Sequence, residues 1–211
     1  MKYYLFDPTG NITALVDGSI DDGEIMKKEP LCEQVGYVYE KEGCDIALRM
    51  AGGEFCGNAT MCAAYLTGKA QVTVFVDGTG PVNVSVDHET GSAEVEMPKP
   101  YEITELNGYP LVRFKGIDHL IADRSLDPSL IKEWCSGDAM GFMYLEGDEL
   151  KPLVFVKESR TLFWEHSCAS GTTAVGEYLG HPVRLNEPGG VLEYSDGRLK
   201  GHVKLIKEVN C

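Results

Sequence analysis

Two short stretches of this 211-residue chain set a cysteine between a turn and what reads as the first turn of a helix. In GGEFCGNAT, residues 52–60, it is Cys56; in EHSCASGTT, residues 165–173, it is Cys168. A cysteine there meets unused backbone N–H groups and the positive end of the helix dipole, so its pKa is expected to fall. The small residues that follow, Gly57 and Asn58 in one stretch and Ala169, Ser170 and Gly171 in the other, let a ligand carboxylate dock on the amides. If both helices point at one cleft, the cysteines flank the ligand's α-carbon. One thiolate then removes the α-proton, the opposite thiol delivers another, and configuration inverts. The α-hydrogen of an amino acid is a very weak acid, and helix amino ends supply the donors that stabilise the charge developing on the carboxylate. Acid and base on opposite faces contribute on the order of 10²–10⁴-fold each.

The elements that must position these residues follow a repeated order. KYYLFDPTGNITALVD alternates about a DPTGN turn as a hairpin or two short strands, and QVGYVYE and CDIALRM read as further strands. GNATMCAAYLTGK reads as a helix stopping near Gly68. QVTVFVDGTG, PVNVSVDHETG and SAEVEMPKP make three strands. The turn-rich PKPYEITELNGYP marks a boundary, giving domains of 1–104 and 105–211, with the last strand free to return to the first. The second half repeats the scheme: strands at YPLVRF and DHLIAD, a helical stretch near SLIKEWC, a strand at LVFVKE, a helix at CASGTTAVGEYLG and three closing strands. Cys56 and Cys168, 112 positions apart, occupy corresponding points.

Composition narrows the function. A formal charge of -14 disfavours nucleic acid and anionic lipid as partners. No run of 18 apolar residues and no signal-like amino terminus is present, so the expectation is a cytoplasmic protein with no membrane association. Seven cysteines without a CxxC pair or a histidine cluster at ligand spacing indicate neither a disulfide framework nor a metal site. Taken singly, any of them reads first as a small buried hydrophobe.

With Cys56 and Cys168 read jointly, a resemblance appears. GGEFCGNATMCAA and HSCASGTTAVGEYL resemble the paired cysteine motifs of the diaminopimelate epimerase family, whose relatives include proline racemase and other cofactor-independent amino acid racemases. DPTGNITALVD, FKGIDHLIAD and EPGGVLEYSDGRLKGHV resemble its amino-terminal, glycine-to-histidine and closing segments. The resemblance implies an α+β fold of two pseudo-symmetric domains, each a mixed or antiparallel sheet wrapped around a central helix, with the active site in the interdomain cleft. It implies Cys56 and Cys168 as acid and base, no pyridoxal phosphate or other cofactor, and a free amino acid as substrate; a homodimer is compatible with it. Carried over residue by residue, Asn11 contacts the side chain or amine, Gly57, Asn58, Ser170 and Gly171 supply carboxylate donors, and Arg160 reaches a distal acid.

The departures concern the substrate. Arg49-Met50-Ala51 replaces a distal asparagine contact, Glu158-Ser159-Arg160 replaces Glu-Arg-Gly, TLFWEHS adds Phe163, Trp164 and His166, and Ala169 replaces glycine. These leave room for diaminopimelate or for an amino acid with a smaller, aromatic or imidazole side chain. An isomerase or dehydratase on the same scaffold, and an amino acid-binding module without turnover, stay open. Simpler readings attach to other residues: Asn11 as a turn residue, His119 as a hydrogen-bonded core histidine, Trp164 as a pocket wall or core cap, and Asp21-Asp22-Gly23-Glu24 as a solvated turn.

Overall fold

The computed structural model describes residues 2–158 and 160–210; Met1, Ser159 and Cys211, the last one of the seven cysteines, lie outside the described residues. By internal contacts the chain divides into two units, Met1–Glu96 with Lys200–Cys211, and Met97–Leu199. It is a mixed, sheet-rich α+β protein.

The first unit begins with β1 (Lys2–Pro8) and β2 (Thr13–Asp17), an antiparallel pair whose turn places Thr9 and Gly10 at positive φ and is tied by Gly10 N–H to Asp7 Oδ1 at 2.6 Å. Then come α1 (Asp22–Lys28), β3 (Gln34–Tyr39), β4 (Ile46–Met50), α2 (Gly57–Leu66), β5 (Gln71–Val76), β6 (Gly80–Asp87) and β7 (Ser92–Glu96). The strands pair in chain order, β2–β3 and β4–β5 parallel and the neighbouring pairs antiparallel. A parallel pair needs a crossover, and α1 and α2 supply the two. The acidic run at 21–24 is therefore not a solvated turn: Asp21 caps α1, accepting from the Glu24 amide. Its helical period was hidden because only Ile25 of this short helix is buried.

α2 is buried along Gly57–Ala64 and touches β1, β2, β4, β5, β6 and β7. Its sequence explains this. GNATMCAAYL has no charge and mostly small side chains, so strands approach it from many directions, as they do a helix apolar on every side. It ends as expected at Thr67, with Gly68 at φ 72°.

The second unit runs β8 (Glu102–Leu106), β9 (Tyr109–Phe114), β10 (Ile117–Ala122), α3 (Ile131–Trp134), β11 (Ala139–Glu146), β12 (Glu149–Val156), β13 (Thr161–Trp164), α4 (Ala169–Leu179), β14 (Val183–Glu187) and β15 (Gly190–Ser195). β10–β11 and β12–β14 are parallel, bridged by the segments carrying α3 and α4; β9–β10, β11–β12 and β14–β15 are antiparallel. This is the same succession of pairings as in the first unit, with a cysteine at the start of the second crossover helix each time. The last strand, β16 (Arg198–Asn210), starts in the second unit and continues in the first, where it pairs with β1 and with β7, so that the first unit's sheet closes on itself.

Three strands escape the sequence patterns for physical reasons. β8, inside the turn-rich stretch, buries neither face, so its residues carry no alternation. β11 is buried on both faces over Ala139–Tyr144, so its apolar residues run continuously. β13 is four residues long and mostly exposed.

Candidate active site

In the first unit, β4 leads through residues 51–56 into α2, and Cys56 is the N-cap in extended conformation. Its Sγ accepts from the Ala59 amide at 3.4 Å and donates to Gln34 Oε1 at 3.0 Å. Gln34 starts β3 and is itself oriented: its Nε2 donates to Asn11 Oδ1 and, at 3.0 Å, to Thr13 Oγ1. Asn11 Nδ2 donates to Glu33 Oε2 at 3.1 Å, which settles which end of the Asn11 amide faces Gln34. Asn11 is 1 % exposed, so its amide lies within this network beneath the cysteine. Gly57 and Asn58 occupy the first two helical positions, whose amides the helix does not use for its own ladder.

In the second unit, Cys168 is the N-cap of α4, also extended, and 5 % exposed. Its Sγ lies 3.7 Å from Ser170 Oγ, and Ser170 Oγ lies 2.8 Å from Nε2 of the buried His119 on β10. The Nδ1 atom of His119 is buried without a hydrogen-bond partner. A bare lone pair is cheaper to bury than a bare N–H, so the tautomer with the proton on Nε2, donating to Ser170, fits the pocket. Burial lowers the His119 pKa to about 3, which keeps the ring neutral. Two glycines make room here. A Cβ on Gly141 would lie 2.4 Å from His119 Nδ1, and one on Gly171 would lie 2.1 Å from Met143 Sδ and 3.2 Å from Cys168 Sγ.

The expected fall in the Cys168 pKa is corrected by its surroundings. Burial, then the negative charges of Glu165 and Glu187 and a hydrogen bond to Glu165, push the thiol well up, and the Ser170 hydroxyl opposes them only weakly. Desolvation of a thiolate works against the dipole of this eleven-residue helix.

Among the other expected residues, Ser170 and Gly171 stand in the first turn of α4 beside Cys168. Arg160 is exposed in the turn between β12 and β13, with φ 55°. Trp164 packs against Tyr144, ring centroids 5.4 Å apart, with Lys151 Nζ 4.6 Å from its own centroid; it lines a cavity of about 540 Å³ with Tyr144, Lys151 and Glu187. Two residues went unnoticed in the sequence, Gln34 and Glu187. Gln34 gives no sequence signal; Glu187 does, because period two puts it on the buried face of β14 with Leu185. Among the described residues no helix is long and apolar enough to cross a membrane, and no cluster of three or more His, Cys, Asp or Glu is placed to hold a metal ion.

Comparisons with known proteins bear on these sites. The family described as Histidine racemase CntK N-terminal domain matches residues 1–207. A histidine racemase of Fusobacterium nucleatum subsp. nucleatum is 33% identical, the match covering 99% of this chain and 95% of that protein. Among solved structures, a predicted epimerase from Pseudomonas aeruginosa superposes with a TM-score of 0.72 at 16% identity, covering 100% of this chain and 98% of that one. A hydroxyproline epimerase from Agrobacterium vitis superposes with a TM-score of 0.68 at 12% identity, covering 99% and 91%. At such identities the two structures speak for the fold alone, which this chain shares with them.

Proposed function

Because the chain belongs to the Histidine racemase CntK N-terminal domain family, and is on that ground an isomerase of the amino acid racemase and epimerase class, we propose that it inverts the α-carbon of free histidine with Cys56 and Cys168 as acid and base. The observation that carries the pairing is that each unit sets one cysteine at the N-cap of its second crossover helix. One sulfur, as thiolate, takes the α-proton and becomes a thiol; the electron pair moves into the carboxylate as an enolate. The other thiol then gives its proton to the opposite face and becomes the thiolate. No net proton is lost, and the next turnover in the reverse direction starts from the exchanged pair.

The finer fold assignment belongs to the same proposal: two pseudo-symmetric domains of the diaminopimelate epimerase kind, each sheet around its cysteine-bearing helix. The amides of Gly57, Asn58, Ser170 and Gly171 receive the carboxylate. Asn11 acts through Gln34, and Arg160 is the candidate for a contact at the far end of the substrate. We place the protein in the cytoplasm, where thiols stay reduced.

The test is incubation of the protein with L- and with D-histidine in deuterated water, following α-hydrogen exchange and optical rotation. Exchange with both enantiomers, abolished by Cys56→Ala and by Cys168→Ala, is the expected result. Exchange that survives both substitutions overturns the cysteine mechanism; exchange with a different amino acid and not histidine overturns the substrate; tight binding of one enantiomer without exchange leaves a binding module.

A further inference from the structure

A helix N-cap needs a partner for its own backbone N–H, and the usual one is a Glu or Gln three positions on, reaching back. In α4 that position is Gly171, where Met143 Sδ and Cys168 Sγ leave no room even for a Cβ. The partner comes instead from across the sheet. Glu187, at the end of β14 and 7 % exposed, accepts the Cys168 N–H on Oε2 at 2.7 Å, and its Oε1 is hydrogen-bonded to the Thr172 hydroxyl one turn into the helix. The turn that follows makes a second stitch, Gly189 N–H to His166 O at 2.7 Å. The backbone on which Cys168 stands is thus gripped at two points by the β14–β15 turn.

We propose that Glu187 is a positioning residue for Cys168: its carboxyl clamps the Cys168 amide and Thr172, fixing the direction of the thiol, and its ionisation opposes formation of the Cys168 thiolate. This rests on the function proposed above for its meaning in catalysis, though not for its effect on the thiol. Both protonation states keep the clamp. The ionised carboxylate accepts from the amide and the hydroxyl; the neutral acid accepts from the amide and donates to the Thr172 oxygen. What changes is the charge beside the sulfur. Burial keeps the Glu187 proton on until about pH 8, with Thr172 and the Cys168 amide working against that shift and Glu165 adding to it. Other charges near Glu187 are Glu165, ahead of α4, and Arg124, Glu146, Glu149 and Lys151, which line the same cavity as Glu187. Glu146 is neutralised by Arg124 at 2.5 Å.

Two variants separate the clamp from the charge. Glu187→Gln has one amide oxygen for Cys168 N–H and an NH₂ for Thr172, and carries no charge; Glu187→Leu has neither bond. With histidine as substrate, Glu187→Leu is expected to lose on the order of tenfold to a hundredfold in kcat with KM little changed, as for a misplaced reacting group. Glu187→Gln is expected to restore most of that loss and to move to lower pH the limb of the kcat/KM profile that reports Cys168, the acid limb for the enantiomer Cys168 deprotonates and the basic limb for the other. A profile for Glu187→Gln that superimposes on the parent, or a Glu187→Leu protein within twofold of the parent in kcat, overturns the proposal. A second readout needs no turnover: ultraviolet thiolate absorbance against pH, taken as the difference between each protein and its Cys168→Ala counterpart. Thiolate formation at lower pH in Glu187→Gln supports the electrostatic role even if no amino acid is racemised; an unmoved titration sinks it even if histidine is.

Discussion

Two buried groups of the second unit make its stability respond to pH in opposite senses, and the pair can be pulled apart by substitution. His119 ionises near 6.5 when unfolded and only near 3 in the fold. Its folded pKa is depressed, so stability is present above 6.5 and is lost as pH falls toward 3. Glu187 runs the other way. Its pKa rises from 4.5 to about 8, so the fold is favoured below 4.5 and loses stability as pH climbs through 8. Linkage gives a slope of about 1.4 kcal/mol per pH unit where one state is protonated and the other is not. Between pH 7 and pH 5 His119 therefore costs about 2 kcal/mol while Glu187 returns about 2–3 kcal/mol, so the two largely offset each other in the parent protein. His119→Gln, which places an amide near the Nε2 position facing Ser170, removes the first contribution only. Urea unfolding at pH 7 and pH 5 should show the variant gaining about 2 kcal/mol relative to the parent on acidification. Glu187→Gln should lose a similar amount over the same interval. Other titrating groups are common to all three proteins and cancel. Parallel pH curves for His119→Gln and the parent would mean that His119 is not held neutral by burial, and the tautomer and the Ser170 hydrogen bond would have to be abandoned with it.

Gly171→Ala should destabilise the fold by about 1–3 kcal/mol through overpacking and should depress racemisation through the displaced Cys168 sulfur; adding Met143→Ala should restore part of the stability, and equal thermal midpoints for Gly171→Ala and the parent would refute the close approach. Gln34→Leu removes the acceptor of the Cys56 thiol and the donor to Thr13, and should cost about 1–3 kcal/mol in denaturant unfolding along with a fall in α-hydrogen exchange; a variant as stable and active as the parent would mean that the network does not orient the sulfur.

Much of the scaffold was legible because its patterns are local. The α2 sequence announces its burial by having no polar side to expose, and Gly68 announces its end. The hairpins betray themselves by alternation and glycine turns. What was lost is what depends on partners far along the chain. Asp21-Asp22-Gly23-Glu24 is polar and only partly buried, so it reads as a turn, yet Asp21 is the cap that starts α1 and the other three residues begin that helix. Both cysteines stand out by their flanking residues, but the direction of the Cys168 pKa does not follow from them. The dipole that lowers it is encoded in the next few residues, whereas Glu187, which helps raise it, is 19 positions away and meets it only once β14 lies beside β12.

The reason for two such cysteines lies in the crossovers. A strand that is followed by a parallel neighbour must send the chain through a crossover, here one that carries a helix, and that helix begins beyond the strand's carboxyl end, where its first amides are unused. Each unit does this twice, and in each the second crossover places cysteine at the N-cap. Placement is therefore inherited from topology, and the chemistry of each sulfur is set by what the neighbouring strands bring to it. β3 brings a neutral amide to Cys56, whose sulfur also receives an N–H from its own helix. β14 brings a carboxyl to Cys168, whose sulfur receives no cap hydrogen bond from α4. A carboxylate beside a thiol favours the protonated form, so the second sulfur holds its proton more firmly than topology alone would have it. On the proposed reaction the two directions of racemisation then start from unequal partners, tilted by the burial of Cys168 first and then by the charges of Glu165 and, above about pH 8, of Glu187.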